Sequence, residues 1–345
     1  MRSGLYATLL RHELSARNRV YARGRQHVES YGGDPVIVYE PELCDEGERH
    51  GNFFDPAYAA ILARPEWTKR FNKVHAQGRA IPKSSIDPAR KWRELDSSMS
   101  SDALLMNVFC TPGVAESAAV RGMLGVDDGE VPVFGWKAKV PLKSGLFDRT
   151  EVDMRWGGLL VEAKLTEADF QTRSAKIVEA YRDFDAVFDR ELLPRVQIAL
   201  TRTRAAVEFP EEFSQEWEDT GAMPVAEACA IAMDFQTGIV ARAEKAAPKD
   251  PGYAGYQLIR NVLAAYATSA SFCVLHDERR PDLREALFAV MAAVRSAEMR
   301  TRLKVLTWQE LAGVLPEGLQ DFLELKHGIF VSGRVPDVEG SAHVI

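Results

Sequence analysis

Long hydrophobic runs are missing from this chain: the longest unbroken apolar stretch is Ala286 to Val294. A membrane-spanning helix needs about 20 such residues. Near the N-terminus a brief apolar stretch, Leu5 to Leu10, is broken at once by Arg11, His12 and Glu13. This is not the pattern of a secretory signal, and the expected address is the cytoplasm. Cysteine is scarce. Cys44, Cys110, Cys229 and Cys273 form no C-x-x-C pair, which points to reduced thiols rather than disulfide staples or structural zinc. The seven histidines make no H-x-x-H or H-E-x-x-H cluster, so a zinc hydrolase has no support. Internal repeats and low-complexity tracts are also absent.

Positive charge is in short supply as well. The net charge of -7 argues mildly against a nucleic-acid binder, whose surface must neutralise phosphates. The average conceals a local exception. From Arg11 to Arg25, five arginines (Arg11, Arg17, Arg19, Arg23 and Arg25) stand against one acid, Glu13, while acids gather around Glu211–Asp219. If that segment is helical, Arg19 and Arg23 share a face. Arg17, Arg19 and Arg23 are therefore candidates for DNA-backbone contact, against the plainer reading of a solvated or internally paired face.

What is present suits a globular protein of one large domain or two ordinary ones. The first ~95 residues read as mainly helical with irregular links. Asp55-Pro56 starts one helix, with Asp55 as N-cap; Ser100 or Ser101 caps another over Asp102–Cys110, ended by Thr111-Pro112-Gly113. From Val131 the pattern turns to extended segments: Val131–Val140, Thr150–Trp156 and Leu159–Leu165. Beyond an insert at about 168–250, Pro251-Gly252 is expected to open a helix over Tyr253–Ser269. A strand (Phe272–Leu275), a helix from Pro281, a strand (Leu303–Leu306) and two short helices to about His327 follow. Thr307 and Glu310 have the spacing of a capping box. Strand–helix–strand alternation joined to a hairpin predicts an α/β fold, tending to α+β, with a mixed central sheet flanked by helices. The expected organisation is a helical region 1–95, a core 96–330 and a tail 331–345.

Trp156-Gly157-Gly158-Leu159 carries the sharpest local signal. Two glycines between alternating runs predict a two-residue turn with positive φ at both centres. Opposed residue numbers then sum to 315. Trp156 faces Leu159, Met154 faces Val161 and Val152 faces Ala163, giving one wholly apolar face. On the other face Asp153 lies opposite Glu162, Glu151 opposite Lys164, and Arg149 opposite Thr166. Opposed carboxylates repel, costing roughly 0.2–1 kcal/mol, and a divalent cation between them reverses that sign. Magnesium suits the patch, since it is commonly held by one or two carboxylates with water and phosphate oxygens. Lys164 points to the same side and could orient water or stabilise developing charge.

Asp153 followed by Glu162-Ala163-Lys164 on the next strand resembles the PD-(D/E)XK nuclease superfamily, with its restriction-endonuclease-like fold. Val152 stands where the family name has proline. The resemblance implies that Asp153, Glu162 and the Ala163 carbonyl hold Mg²⁺ (or Mn²⁺), that Lys164 assists water activation, and that the substrate is DNA. It also implies that a glutamine in the following helix, here Gln257, lies beside the site. Arg260 and Asn261 share its face. Ser97–Phe109 and Lys164–Phe170 are similar to an uncharacterised bacterial branch of such proteins, which adds Thr166 and Glu167, with Glu151, as accessory candidates. The activity implied is that of an endonuclease more than an exonuclease, in restriction, defence or repair, with a homodimer as the arrangement that cuts both strands. The alternative from another class is a nucleic-acid- or partner-binding protein on a nuclease scaffold that does not cleave; the intact Asp, Glu and Lys weigh against it.

Overall fold

The computed structural model describes residues 3–31, 35–45, 47–75, 80–84, 86–149, 151–199 and 249–331. The acids around Glu211–Asp219, Thr150 and most of the expected insert and tail lie outside them. The chain starts with helix α1 (Ser3–Tyr21), which buries Leu10, Leu14 and Tyr21, roughly one helical stripe. Two small antiparallel pairs follow: β1 (His27–Glu29) with β2 (Ile37–Tyr39), and β3 (Pro41–Cys44) with β4 (Gly47–His50). The first 95 residues are thus less purely helical than their periodicity suggests, because strands of three or four residues are too short to leave a period-2 signature. Helices α2 (Asp55–Ala63), α3 (Pro65–Phe71), α4 (Ser101–Phe109) and α5 (Ala118–Leu124) complete this part. Ser100 caps α4, accepting the Ala103 N–H, as expected. Phe54, not Asp55, is the N-cap of α2, so Asp55 sits inside the first turn.

The remaining strands are β5 (Val133–Lys137), β6 (Val140–Pro141), β7 (Phe147–Asp148), β8 (Glu151–Trp156), β9 (Leu159–Ala163), β10 (Thr172–Ser174), β11 (Arg195–Ala199), β12 (Lys249–Ala254), β13 (Ser271–His276) and β14 (Leu303–Thr307). The short helices α6 (Ala175–Val178) and α7 (Phe184–Val187) lie between β10 and β11. Helix α8 (Tyr256–Ala267) precedes β13, and α9 (Pro281–Ala292) and α10 (Ala297–Thr301) join β13 to β14. Helices α11 (Trp308–Ala312) and α12 (Glu317–His327) end the described chain. Pro251-Gly252 does not open a helix. It lies in β12, which pairs with β10 and β11, and α8 begins only after Gly255, whose φ is +75°. The capping box of Thr307 and Glu310 is present at α11.

The central sheet runs β14-β13-β9-β8-β5. β14, β13 and β9 are parallel; β8 and β5 add antiparallel neighbours. The fold is therefore the expected mixed α/β architecture. Strands β9 and β13 are covered on both faces, which explains their near-continuous apolar sequence. On one face Met154, Trp156, Leu159, Val161 and Leu275 pack with Leu14, Tyr58, Leu105 and Leu323 from the surrounding helices. On the other, Leu160, Phe272 and Val274 pack with Leu258, Val262 and Leu287 of α8 and α9. Among the described residues no helix is long and apolar enough to cross a membrane.

One buried lysine in this core has no acceptor among the described residues. Lys326 is fully buried, its Nζ makes no hydrogen bond there, and the amine lies 5.3 Å from the centre of the Tyr39 ring. Burial pushes its pKa well below that of a free lysine. The unfolded chain takes up a proton there at any pH below about 10.4, so the penalty is present at neutral pH and fades as pH rises to that value. Lys326→Met is expected to raise stability by about 1–3 kcal/mol at pH 7, with the gain shrinking towards pH 10. Chemical denaturation at both pH values checks this.

Candidate functional site

The hairpin register is 315 as far as Met154↔Val161. Its turn has positive φ at Gly157 alone (+56°), the pattern of a type II′ turn rather than the expected pair of left-handed residues. Beyond Met154 the two strands part. The Ala163 N–H takes the Asp153 carboxylate as its acceptor, at 2.8 Å from Oδ2. On the far side of β8, Gly135 lies between the Phe134↔Met154 and Trp136↔Val152 pairs and has φ +62°. Phe134 packs on one face of the sheet, while Trp136 and Val152 pack with the other. Both strands roll at the Gly135–Asp153 step, as glycine-marked irregularities in strands do. The expected apolar face therefore loses Val152.

The parting also breaks the expected Glu151–Lys164 pair. Glu151 Oε2 is instead held by Arg70 and Lys73, each at 3.2 Å, at the end of α3 and just beyond it. Lys164 turns the other way. Its N–H donates to Leu275 O at 2.8 Å, and its ammonium lies 2.8 Å from Glu162 Oε1 and 5.5 Å from the centre of the Phe170 ring.

Glu162 lies on the α8 side of β9, one residue past the end of the paired ladder. Asn261 donates to its Oε2 at 2.7 Å. Arg260, also buried, donates to Asn261 Oδ1 (2.9 Å) and to Glu151 O (2.8 Å). One terminal nitrogen of the guanidinium makes both bonds and so braces α8 against β8. Gln257 stands one turn before Asn261, half-buried, with its backbone N–H on Phe170 O at 3.0 Å. Thr166 and Glu167 fasten the segment after Lys164. The Thr166 hydroxyl reaches Met99 O at 3.4 Å, and the Glu167 carboxylate accepts from Leu165 N–H and from the Ser101 hydroxyl.

Electrostatics split the two central carboxyls. Burial, the charge of Glu162 and that of Asp102 all raise Asp153 well above the ordinary carboxylate range. Burial works in the same direction on Glu162, but Lys164, Arg260 and the Asn261 donation together hold it below its usual value. Lys164 is raised despite its burial, by Glu162, Glu167 and Asp153, and is therefore a fixed cation. Two carboxyls whose environments drive them apart are common at functional sites and also occur in structural ion networks.

Several members of this network were not legible in the sequence. Asp102, read only as the start of a helix, lies close enough to Asp153 to raise it, and is bonded to Arg70. Glu94 approaches Lys73 at 3.4 Å and Arg70 at 3.9 Å. Arg280 is fully buried and donates to the carbonyls of Leu165 (3.3 Å), Glu167 (2.8 Å) and Ala168 (3.1 Å) while pairing with Asp282 at 2.8 Å. It thereby fixes the loop that carries Lys164. Arg280→Met should cost about 3–5 kcal/mol, because Asp282 is left as a buried unpaired charge. Adding Asp282→Asn should recover part of that loss in urea denaturation.

The donor set suits a hard divalent cation in part. Among the described residues no group of three or more His, Cys, Asp or Glu side chains is placed to hold a metal. A cation here would complete its shell from the Ala163 carbonyl, water and phosphate oxygens, which is usual for magnesium. Glu162 Oε1 contacts Lys164 but accepts no well-formed hydrogen bond, so a buried anionic oxygen retains coordination capacity. Among the buried and half-buried groups of this network, six carboxyls (Glu94, Asp102, Glu151, Asp153, Glu162, Glu167) stand among four basic side chains (Arg70, Lys73, Lys164, Arg260). Burial raises Asp153 and Glu94 in the metal-free protein, and a cation beside Asp153 would oppose that rise.

No curated protein and no solved structure matches this chain. Residues 15–328 match the family described as restriction endonuclease associating with ARP. The match takes in β8, β9, α8 and every residue of the network just described, and the chain belongs to that restriction-endonuclease family.

Proposed function

We propose that this protein is a Mg²⁺-dependent deoxyribonuclease on the PD-(D/E)XK plan, cutting internal phosphodiester bonds, with Mn²⁺ able to substitute. The observation that carries this reading is the meeting of Asp153 and Glu162 at the point where β8 and β9 part, with Lys164 on Glu162 and the two carboxyls driven apart in pKa. The family description names a restriction endonuclease, which makes DNA the substrate to test and restriction or defence the expected setting. A divalent cation at these carboxylates supplies Lewis-acid polarisation of a phosphoryl oxygen and acidifies nearby water. The chain's own groups do the rest. Asp153 and Glu162 present oxygens, Asn261 fixes the orientation of Glu162, and Lys164 places a permanent positive charge where the phosphate gains negative charge. Gln257 stands one turn before Asn261 on α8, and in this reading its side chain meets substrate or water.

Incubation with supercoiled plasmid tests the reading. Nicked or linear product with Mg²⁺ or Mn²⁺, and none with EDTA, is the expected result. Cleavage unaffected by EDTA, or no cleavage of circular or linear DNA with either metal, would overturn it.

The N-terminal arginines are less free than their sequence suggests. Arg17 bonds Glu13 at 3.3 Å and Glu324 O at 3.4 Å, and it lies over the Phe330 ring. Helix α1 ends at Tyr21, so Arg23 does not share a helical face with Arg19, which approaches Glu29 at 3.9 Å. Deleting residues 1–25 would remove Leu10, Leu14 and Tyr21 from the core, so substitution is the better probe. If Arg19 and Arg23 contact the DNA backbone, changing both to Gln should flatten the slope of log K against log salt by roughly 2. An unchanged slope leaves them as solvated surface charge.

A further inference from the structure

The chain between β5 and β8 folds into the hairpin of β6 and β7, paired Val140↔Asp148 and Pro141↔Phe147. Its tip is a tight turn: the Gly145 N–H donates to Leu142 O at 3.0 Å and the Leu142 N–H to Leu146 O at 2.9 Å, with Gly145 at φ +86°. The base is braced. Val140 packs in the core with Leu258 and Val262 of α8, and the Lys143 N–H donates to Ala180 O at 2.8 Å. The Tyr181 hydroxyl donates to the Asp148 carboxylate and lies 3.0 Å from the hydroxyl of Tyr256, the first residue of α8. The tip itself meets solvent, with Leu146 68% and Phe147 50% exposed. Isolated exposed apolar residues are ordinary. Two in succession at a braced turn, outside both cores, do nothing for folding.

Charge around this tip runs against that of the chain. From Lys137 to Arg149 four exposed basic side chains (Lys137, Lys139, Lys143 and Arg149) stand against one acid, Asp148, in a protein of net charge -7. Lys143 lies 3.4 Å from Asp185, both of them about half-exposed, and such a surface pair holds its lysine weakly. The hairpin also joins directly to β8. Leu146 is seven residues before Asp153, a span of at most about 25 Å, shorter than the roughly 34 Å of one duplex turn. A duplex seated on the carboxylates and running towards the hairpin meets it within one turn.

We propose that the β6–β7 hairpin is an arm that grips the substrate duplex: Lys139, Lys143 and Arg149 neutralise phosphates, and Leu146 with Phe147 wedges into the minor groove and unstacks a base step. This rests on the DNA reading above. Cations alone hold a duplex by its backbone. An apolar tip gains only from the bases, and leucine and phenylalanine are among the side chains that minor-groove proteins insert between base steps, kinking the duplex. The brace at Asp148, Tyr181 and Tyr256 suits that work, because a wedge must be held rigid to separate stacked bases.

Binding of the full-length protein to short duplexes in EDTA, where no metal-dependent cleavage intervenes, tests this. Fluorescence anisotropy reads affinity against salt, and 2-aminopurine placed at successive steps reads unstacking. Wild type is expected to bind and to raise the 2-aminopurine signal. Leu146→Ser combined with Phe147→Ser should abolish the rise and weaken binding on the order of tenfold, with the salt slope unchanged. Lys139→Gln combined with Arg149→Gln should flatten the slope of log K against log salt by about 2 and keep the rise at saturating protein. All four positions are exposed, where substitution leaves a fold intact. No rise in wild type, a rise that survives loss of Leu146 and Phe147, or an unchanged slope without Lys139 and Arg149 overturns the proposal; metal-dependent plasmid cleavage by the same proteins would leave the nuclease reading standing. Wild type that neither binds duplex nor cuts plasmid overturns both. A wild-type dimer that loss of Leu146 and Phe147 turns into a monomer, with DNA binding unaltered, gives the tip to a second copy of the chain and overturns the proposal as well.

Discussion

Asp153→Asn is expected to abolish metal-dependent DNA cleavage, with a fall of about 10³-fold or more, while the fold is retained. A divalent ion contributes several kcal/mol to stabilising a phosphoryl-transfer transition state, and each 1.36 kcal/mol is about tenfold in rate. Glu162→Gln should do the same. The choice of amides over alanine follows from the geometry. The Ala163 N–H depends on the Asp153 carboxylate, so alanine would leave a donor unpaired at about 1–3 kcal/mol, partly offset by relief of the repulsion from Glu162 and Asp102. Glu162→Ala would strand the buried Lys164 ammonium, at about 3–5 kcal/mol. Asparagine keeps an acceptor for Ala163, and glutamine keeps a partner for Asn261. Calorimetric titration with Mg²⁺ and a plasmid assay on the same preparations separate loss of metal from loss of fold. Full activity in Asp153→Asn would remove that residue from the site.

How much of this was readable in the sequence depends on how local each decision is. The place of the Gly157-Gly158 turn (though not its type), the register through Met154↔Val161 and the cap at Ser100 are settled by neighbours in the chain, and the sequence pattern sufficed for them. The parting of β8 from β9 is settled elsewhere, by the left-handed Gly135 on one side and the pull of β13 on Lys164 on the other. Pro251-Gly252 has the composition of a helix start, yet the pairing of β12 with β10 and β11 overrides it. The same reason hid Arg70 and Lys73. They reach Glu151 across about eighty residues of chain, and no spacing rule connects them. Arg260 shares a helix face with Gln257 and Asn261, which periodicity shows; its burial and its two acceptors, which periodicity does not encode, make it a brace between α8 and β8. That Asp153, Glu162, Lys164 and Asn261 come together was legible because one short hairpin and one helix face carry them.

Lys164→Met should lower turnover by about 10²–10³-fold, the range found when one preorganised charge or donor is removed from a transition state, while Mg²⁺ binds at least as tightly as before. In the metal-free protein the lysine is raised above its ordinary pKa by Glu162, Glu167 and Asp153 despite its burial, so it is protonated through the neutral range. In the proposed reaction its part is to hold charge and to orient water. The same ion pair that fixes Lys164 also competes with a metal for Glu162 Oε1, at 2.8 Å. Removing the ammonium frees that oxygen, and metal affinity rises or holds while kcat falls. In the metal-free protein the variant leaves Glu162 with only Asn261 and the more distant charge of Arg260. It should lose about 3–5 kcal/mol of stability, and saturating Mg²⁺ should restore part of it by mass action. Lys164→Arg keeps the charge but brings a planar fork into a space shaped for an ammonium against Phe170, so its turnover should fall between wild type and Lys164→Met. The deciding measurement is kcat against pH for wild type and both variants at saturating metal. An unchanged kcat in Lys164→Met, with only its melting temperature lowered, would make Lys164 a structural partner of Glu162 and move the charge that serves the phosphate to another residue.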